Sequence, residues 1–221
     1  MTRLLDITLA CLALILFAPI MVLIILVLRF SGEGEIFFVQ DRVGKQGNMF
    51  KLLKFATMLK NSPNMGTGTV TLQNDPRILP VGQFLRRSKL NELPQLWNIL
   101  VGDMSVVGPR PQSKRCFDVF PESTRRSIVK VRPGLSGIGS ILFSDEERLL
   151  AGERSEDFYD TVIAPYKGAV EEWYIVNQSL RIYILIIVAT LLVFIIPSKR
   201  FVWRVFPDLP KPPVELQFAF N

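Results

Sequence analysis

The sequence predicts a mostly α protein with a small β-hairpin, an α+β fold held to one side of a membrane by an N-terminal re-entrant helix and interfacial amphipathic helices. Three observations predict it. An apolar run from Ile7 to Leu28, with only Thr8 clearly polar, reaches the roughly 20 residues that a bilayer-embedded helix needs. Pro19 lies near its middle, where proline removes a backbone donor and clashes with the preceding turn. Beyond it, short strand-like runs give way to charged segments with helical apolar spacing.

The membrane helix comes first. A break at Ala18-Pro19 lets residues 1–30 dip into one leaflet and return, so Pro19 is the expected membrane break. A straight spanning helix and a signal peptide are the alternatives. The second needs an apolar core of about 7–15 residues and a small-x-small cleavage site, and none follows Leu28. Arg29, Arg42, Lys45, Lys51, Lys54 and Lys60 lie beyond the run against Arg3 before it, which places the following part in the cytoplasm.

Residues 31–180 read as one catalytic domain. Ile36–Gln40 and Met49–Phe55 form a hairpin across a Gly44–Asn48 turn, and Asn61–Gln73 reads as a surface loop. From Val81 to Leu100 the spacing is helical, with a restart near Glu92 that puts Pro94 in a first turn and Gly102 at the end. Val106–Pro111 and Lys130–Gly137 are stiff turns carrying Arg110 and Arg132. Asp118–Val129 is helical with Pro121 near its start, and Asp145–Trp173 suits amphipathic helices. Residues 181–221 form an apolar, interface-associated segment, Ile182–Ile196, flanked by aromatic residues, and a proline-rich tail expected to be loosely ordered after Pro207.

The chain of 221 residues carries 26 Lys+Arg against 20 Asp+Glu and no histidine. The basic excess beside a membrane element points to anionic lipid or a phosphorylated substrate. No nucleic-acid-binding signature appears. Without histidine, chemistry falls to Asp, Glu, Lys, Arg and backbone. Cys11 and Cys116 make no disulfide framework. Arg86, Arg87, Arg110 and Arg132 sit in segments stiffened by proline, glycine or helix, and converging guanidinium groups bind a diphosphate. As isolated residues they are also ordinary surface charges. Glu92 beside them either holds Mg²⁺ with substrate oxygens or complements the dipole of a helix start.

The stretch Arg86-Arg87-Ser88-Lys89-Leu90-Asn91-Glu92-Leu93-Pro94-Gln95-Leu96-Trp97-Asn98, running through Gly102-Asp103 to Gly108-Pro109-Arg110-Pro111, resembles the core of bacterial sugar transferases, the monotopic phosphoglycosyl transferases. Arg42-Val43-Gly44, Phe50 with Lys54-Phe55, Asn74-Asp75-Pro76-Arg77 and Lys130–Gly137 agree in order. The resemblance implies transfer of a sugar 1-phosphate from a UDP-sugar to undecaprenyl phosphate with release of UMP. It places the enzyme on the cytoplasmic face of the bacterial inner membrane, at the start of exopolysaccharide, O-antigen or capsule assembly. It implies Mg²⁺ held by Glu92, a re-entrant helix broken at Pro19, and phosphate or nucleotide contacts from Lys54, Arg86, Arg110 and Arg132. A homodimer stays open. The departure is at the chemistry: Asn91 stands where the family's nucleophilic Asp is expected. Glu92 then takes over the attack, or Asn91 orients a direct transfer, or the protein is a weak or inactive membrane-anchored relative that binds as a scaffold. Ala56 and Tyr183 also replace charged family residues.

Overall fold

The computed structural model describes residues 2–65, 75–144, 156–193, 195–196 and 198–220. Part of the loop expected at Asn61–Gln73, and the start of the helices expected from Asp145, lie outside the described residues. The chain divides into two compact units, one of residues 1–41 and 51–102, the other of residues 42–50 and 103–221. The hairpin of β1 (Phe37–Val43) and β2 (Met49–Phe55) belongs to both, its strand ends to the first unit and its turn to the second.

The first unit opens with α1 (Thr2–Arg29), which continues through Pro19 rather than ending there. It is the one helix among the described residues long and apolar enough to cross a membrane. Most of its surface is uncovered, with Leu4, Ile15 and Leu16 exposed. Toward its C-terminal end Ile24 and Leu28 are buried with Phe55 and Leu85, and Leu93 packs on the same cluster. A side chain of this kind contributes about 1.5–3 kcal/mol when fully buried, which explains why α1 belongs with this unit.

Next come α2 (Pro80–Arg87), a 3₁₀ turn at Leu90–Glu92, and α3 (Gln95–Val101). Pro94 caps the start of α3, and Gly102 ends it at φ 100°, a left-handed angle that favours glycine. At that end Arg3 Nη1 donates to Ile99 O at 2.6 Å and Nη2 to Leu100 O at 2.9 Å. A cation there also opposes the negative end of the helix dipole.

The second unit is built on a pairing of segments that read as turns. β3 (Ser105–Val107) and β4 (Gly134–Ser136) run parallel, Ser105 opposite Gly134 and Val107 opposite Ser136. In sequence α4 (Lys114–Val119) and α5 (Glu122–Ile128) lie between them and α6 (Ile138–Leu142) follows. A helical turn at Glu156–Phe158 and a π-helical turn at Tyr159–Ile163 lead into α7 (Ala164–Val176), followed by α8 (Leu180–Leu192) and α9 (Phe201–Val205).

The tail is not loosely ordered. Leu209, Leu216 and Phe220 are buried, and the Phe220 ring meets those of Phe143, Tyr166 and Trp203. Tyr166 Oη and Trp203 Nε1 both donate to Pro210 O. Ring burial outweighs the local preference of a proline-rich sequence for open chain.

Candidate active site

Between α2 and α3 the chain passes through Lys89 at φ 58°. A left-handed non-glycine residue costs about 1–2 kcal/mol, so the turn is held by its surroundings. It delivers Asn91 and Glu92 side by side. Asn91 is 7% exposed, and its buried Oδ1 has no hydrogen-bond partner among the described residues. Glu92 keeps 13% of its side chain exposed, with Oε1 3.8 Å from Lys54 Nζ on β2. That is an ion pair without a hydrogen bond. Arg86 is half-buried, one Nη1 contact reaching Met58 Sδ at 3.9 Å.

Asn98 fixes the strand that carries Lys54, a role without a sequence signal. Its Oδ1 accepts from Leu53 N at 3.0 Å and its Nδ2 donates to Lys51 O at 2.8 Å. The amide thus continues the ladder of β2 from the side of α3. Asp75 and Arg77, part of the family resemblance, are buried and paired, and Arg77 Nη1 also donates to Ser62 O and Met65 O. Arg77 is a strut of the first unit. Ala56 and Tyr183 are both buried.

In the second unit the turns that carry Arg110 and Arg132 meet backbone to backbone. Gly134 N donates to Pro109 O at 2.8 Å, and Gly108 N to Ser136 O at 2.9 Å. A Cβ on Gly108 would lie 2.5 Å from Arg132 O, so only glycine permits the approach. The hairpin turn holds the same segment, with Val43 N donating to Gln112 O at 3.0 Å. A shallow cleft beside Arg110 is walled by Pro109, Gln112, Val43 and Phe117.

Behind Arg110 lies Glu171, a residue that sequence reasoning passed over. It is 1% exposed. Its Oε1 accepts from Arg110 N at 3.1 Å, and its Oε2 has no hydrogen-bond partner among the described residues. Burial pushes its carboxyl up from the ordinary 4.5 to about 7, against the opposing pull of the Arg110 hydrogen bond and the Lys167 and Arg110 charges. The folded chain therefore keeps this proton where the unfolded chain has lost it. Stability falls as pH rises from about 4.5 to about 7 by roughly 3 kcal/mol from this group. Thermal melts between pH 5 and 8 should show that loss, and Glu171→Gln should flatten it. An unchanged slope in the variant would assign the dependence elsewhere.

Among the described residues no group of three or more His, Cys, Asp or Glu stands ready for a metal. Glu92 and the unpartnered Asn91 Oδ1 supply one carboxylate and one amide oxygen. Such a sparse set fits Mg²⁺, which binds through one or two carboxylates and takes its other ligands from water and substrate phosphate.

A family model described as "Bacterial sugar transferase" matches residues 1–197. The exopolysaccharide production protein ExoY of Rhizobium meliloti (strain 1021) is 39% identical over 150 residues, which cover 62% of this chain and 66% of ExoY. A UDP-N-acetylgalactosamine-undecaprenyl-phosphate N-acetylgalactosaminephosphotransferase of Aeromonas hydrophila is 32% identical over 193 residues, 84% of this chain and 41% of the relative. A UDP-glucose:undecaprenyl-phosphate glucose-1-phosphate transferase of Escherichia coli (strain K12) is 41% identical over 138 residues, 62% of this chain and 30% of the relative. The chain thus spans just under two thirds of ExoY and less than half of the two transferases.

Proposed function

Because the chain belongs to the bacterial sugar transferase family, we propose that it transfers a sugar 1-phosphate from a UDP-sugar to undecaprenyl phosphate, releasing UMP. The product is a lipid-diphosphate sugar on which polysaccharide assembly starts. Two matched relatives carry this reaction in their names, one with glucose and one with N-acetylgalactosamine. The observation that carries the reading is the contact of Lys54 Nζ with Glu92 Oε1 at 3.8 Å, on the turn that also holds the buried Asn91 Oδ1.

Asn91 is neutral, and a carboxamide is a poor nucleophile. We therefore favour direct transfer. An oxygen of the lipid phosphate attacks the sugar-bearing phosphorus of the donor. The bond from that phosphorus to the bridging oxygen breaks, and the bridging oxygen leaves with UMP. Phosphoryl transfer of this type rests on positioning and charge stabilisation. Asn91 orients the reacting phosphate, Lys54 neutralises charge on it, and Glu92 with Asn91 Oδ1 holds Mg²⁺. The metal, when bound, offsets charge on the diphosphate and the leaving UMP. The family resemblance assigns Arg86, Arg110 and Arg132 to the donor's phosphates or nucleotide.

The acceptor is a lipid, and α1 brings the enzyme to it. What supports a re-entrant α1 bent at Pro19 is that both its ends are held by the same unit. Arg3 binds Ile99 O and Leu100 O, while Ile24 and Leu28 pack with Phe55 and Leu85. Arg3 and Arg29 then stay on one side, the cytoplasmic face of the inner membrane, as positive charge does.

The test is UMP release by purified full-length protein given undecaprenyl phosphate, Mg²⁺ and a panel of UDP-sugars. Wild type should release UMP with no phosphosugar adduct on the peptide holding residue 91. Asn91→Asp should raise the rate roughly tenfold, about 1.4 kcal/mol of barrier, and show the adduct. The substitution at Asn91 also favours a second reading, a membrane-anchored binding relative. Nucleotide binding without UMP release in wild type, alongside turnover in Asn91→Asp, would establish that reading instead.

A further inference from the structure

One face of α7 grips the segment that carries Arg110. Tyr174 Oη donates to Val107 O at 3.2 Å, and Glu171 Oε1 accepts from Arg110 N at 3.1 Å. The two side chains sit three positions apart, on the same side of the helix, and both are buried. The carboxylate has a prepared seat. Gly139 of α6 lies against it so closely that a Cβ there would stand 2.2 Å from Glu171 Oε1. Lys167, one turn earlier on α7 and 1% exposed, adds positive charge on the same side.

A glutamate with one oxygen unpartnered is a costly thing to bury, and packing alone gives no reason for one here. Among the described residues its one hydrogen bond goes to the backbone of Arg110 in the Gly-Pro-Arg-Pro turn. We propose that Glu171 is a positioning residue, which fixes the backbone of Arg110 and through it the direction of the guanidinium toward the phosphates of the sugar nucleotide. The inference rests on the proposed function in one respect, that Arg110 binds donor phosphate. Arg110 itself has prolines on both sides, so rotation of its backbone is already narrow. A single hydrogen bond from behind then suffices to set it.

The experiment is a double-mutant cycle on the full-length protein, read as UMP release. Glu171→Leu should lower kcat/KM by about 100-fold, the effect of a small misplacement of a positioned group. Glu171→Gln keeps the acceptor and should restore most of the rate. Gly139→Ala leaves Glu171 in the sequence but displaces its carboxylate, and should act in the same direction as Glu171→Leu. It keeps the inference testable if the leucine variant does not fold. Combined with Arg110→Ala, Glu171→Leu should cost nothing further, because both act through one guanidinium. A full additional loss in the double variant, or no rescue by Gln, overturns the positioning role. Wild-type turnover in Arg110→Ala alone overturns instead the reading that Arg110 binds the donor.

Discussion

Glu92→Gln lowers kcat/KM for UMP release by about 10²–10³-fold, the usual cost of losing one electrostatic group in a transition state. Lys89 sends the chain left-handed, and the 3₁₀ turn that follows leaves Glu92 at the rim of the first unit, 13% exposed beside Lys54 at 18%. Glutamine has nearly the same volume and keeps the turn while removing the charge. The ion pair it breaks is long, at 3.8 Å, so the loss of stability should stay small beside the loss of catalysis. Thermal melts set beside UMP release over a Mg²⁺ titration separate the two effects. In the variant the rate should also need more Mg²⁺. Full turnover in Glu92→Gln removes this residue from the metal and from the chemistry.

The parts of the fold written in local sequence were legible. Gly102 ends α3 because nothing but the residue's own freedom at φ 100° is required. The hairpin around Gly44–Asn48 is announced by two apolar runs and a turn. Asn91-Glu92 stood out by its neighbours in the long motif. What stayed hidden depends on partners distant in sequence. β3 and β4 are three residues each, and their pairing joins segments that read as turns by their proline and glycine content. Glu171 and Glu172 look alike in sequence, yet only the first is sealed against Arg110 N. The order of the tail depends on the Phe220 ring reaching Phe143 and Tyr166, contacts that composition does not encode. The missing donor at Asn91 Oδ1 is likewise a property of the folded surroundings.

Gly134→Ala should lower stability by about 3 kcal/mol, at the upper end for overpacking, and abolish most turnover. The new Cβ would lie 2.1 Å from Gly108 N, 2.3 Å from Ser136 O and 2.6 Å from Gly108 O. All three are backbone atoms, so no side chain can rotate away to make room. The strands must separate, which threatens the bonds from Gly134 N to Pro109 O and from Gly108 N to Ser136 O. Those bonds fix the turns that carry Arg110 and Arg132, so a strain at Gly134 is also a strain on the arginines. At about 2–4 °C per kcal/mol for a chain of this size the melting temperature should fall by roughly 6–12 °C. Gly47→Ala is the matched comparison, since a Cβ there meets nothing within 4 Å and only the φ of +78° opposes it. It should cost about 1–2 kcal/mol without touching the arginine turns. A melting temperature for Gly134→Ala no lower than that of Gly47→Ala would mean that the two turns do not meet at this register, and the link from the β3–β4 pair to phosphate binding would fail with it.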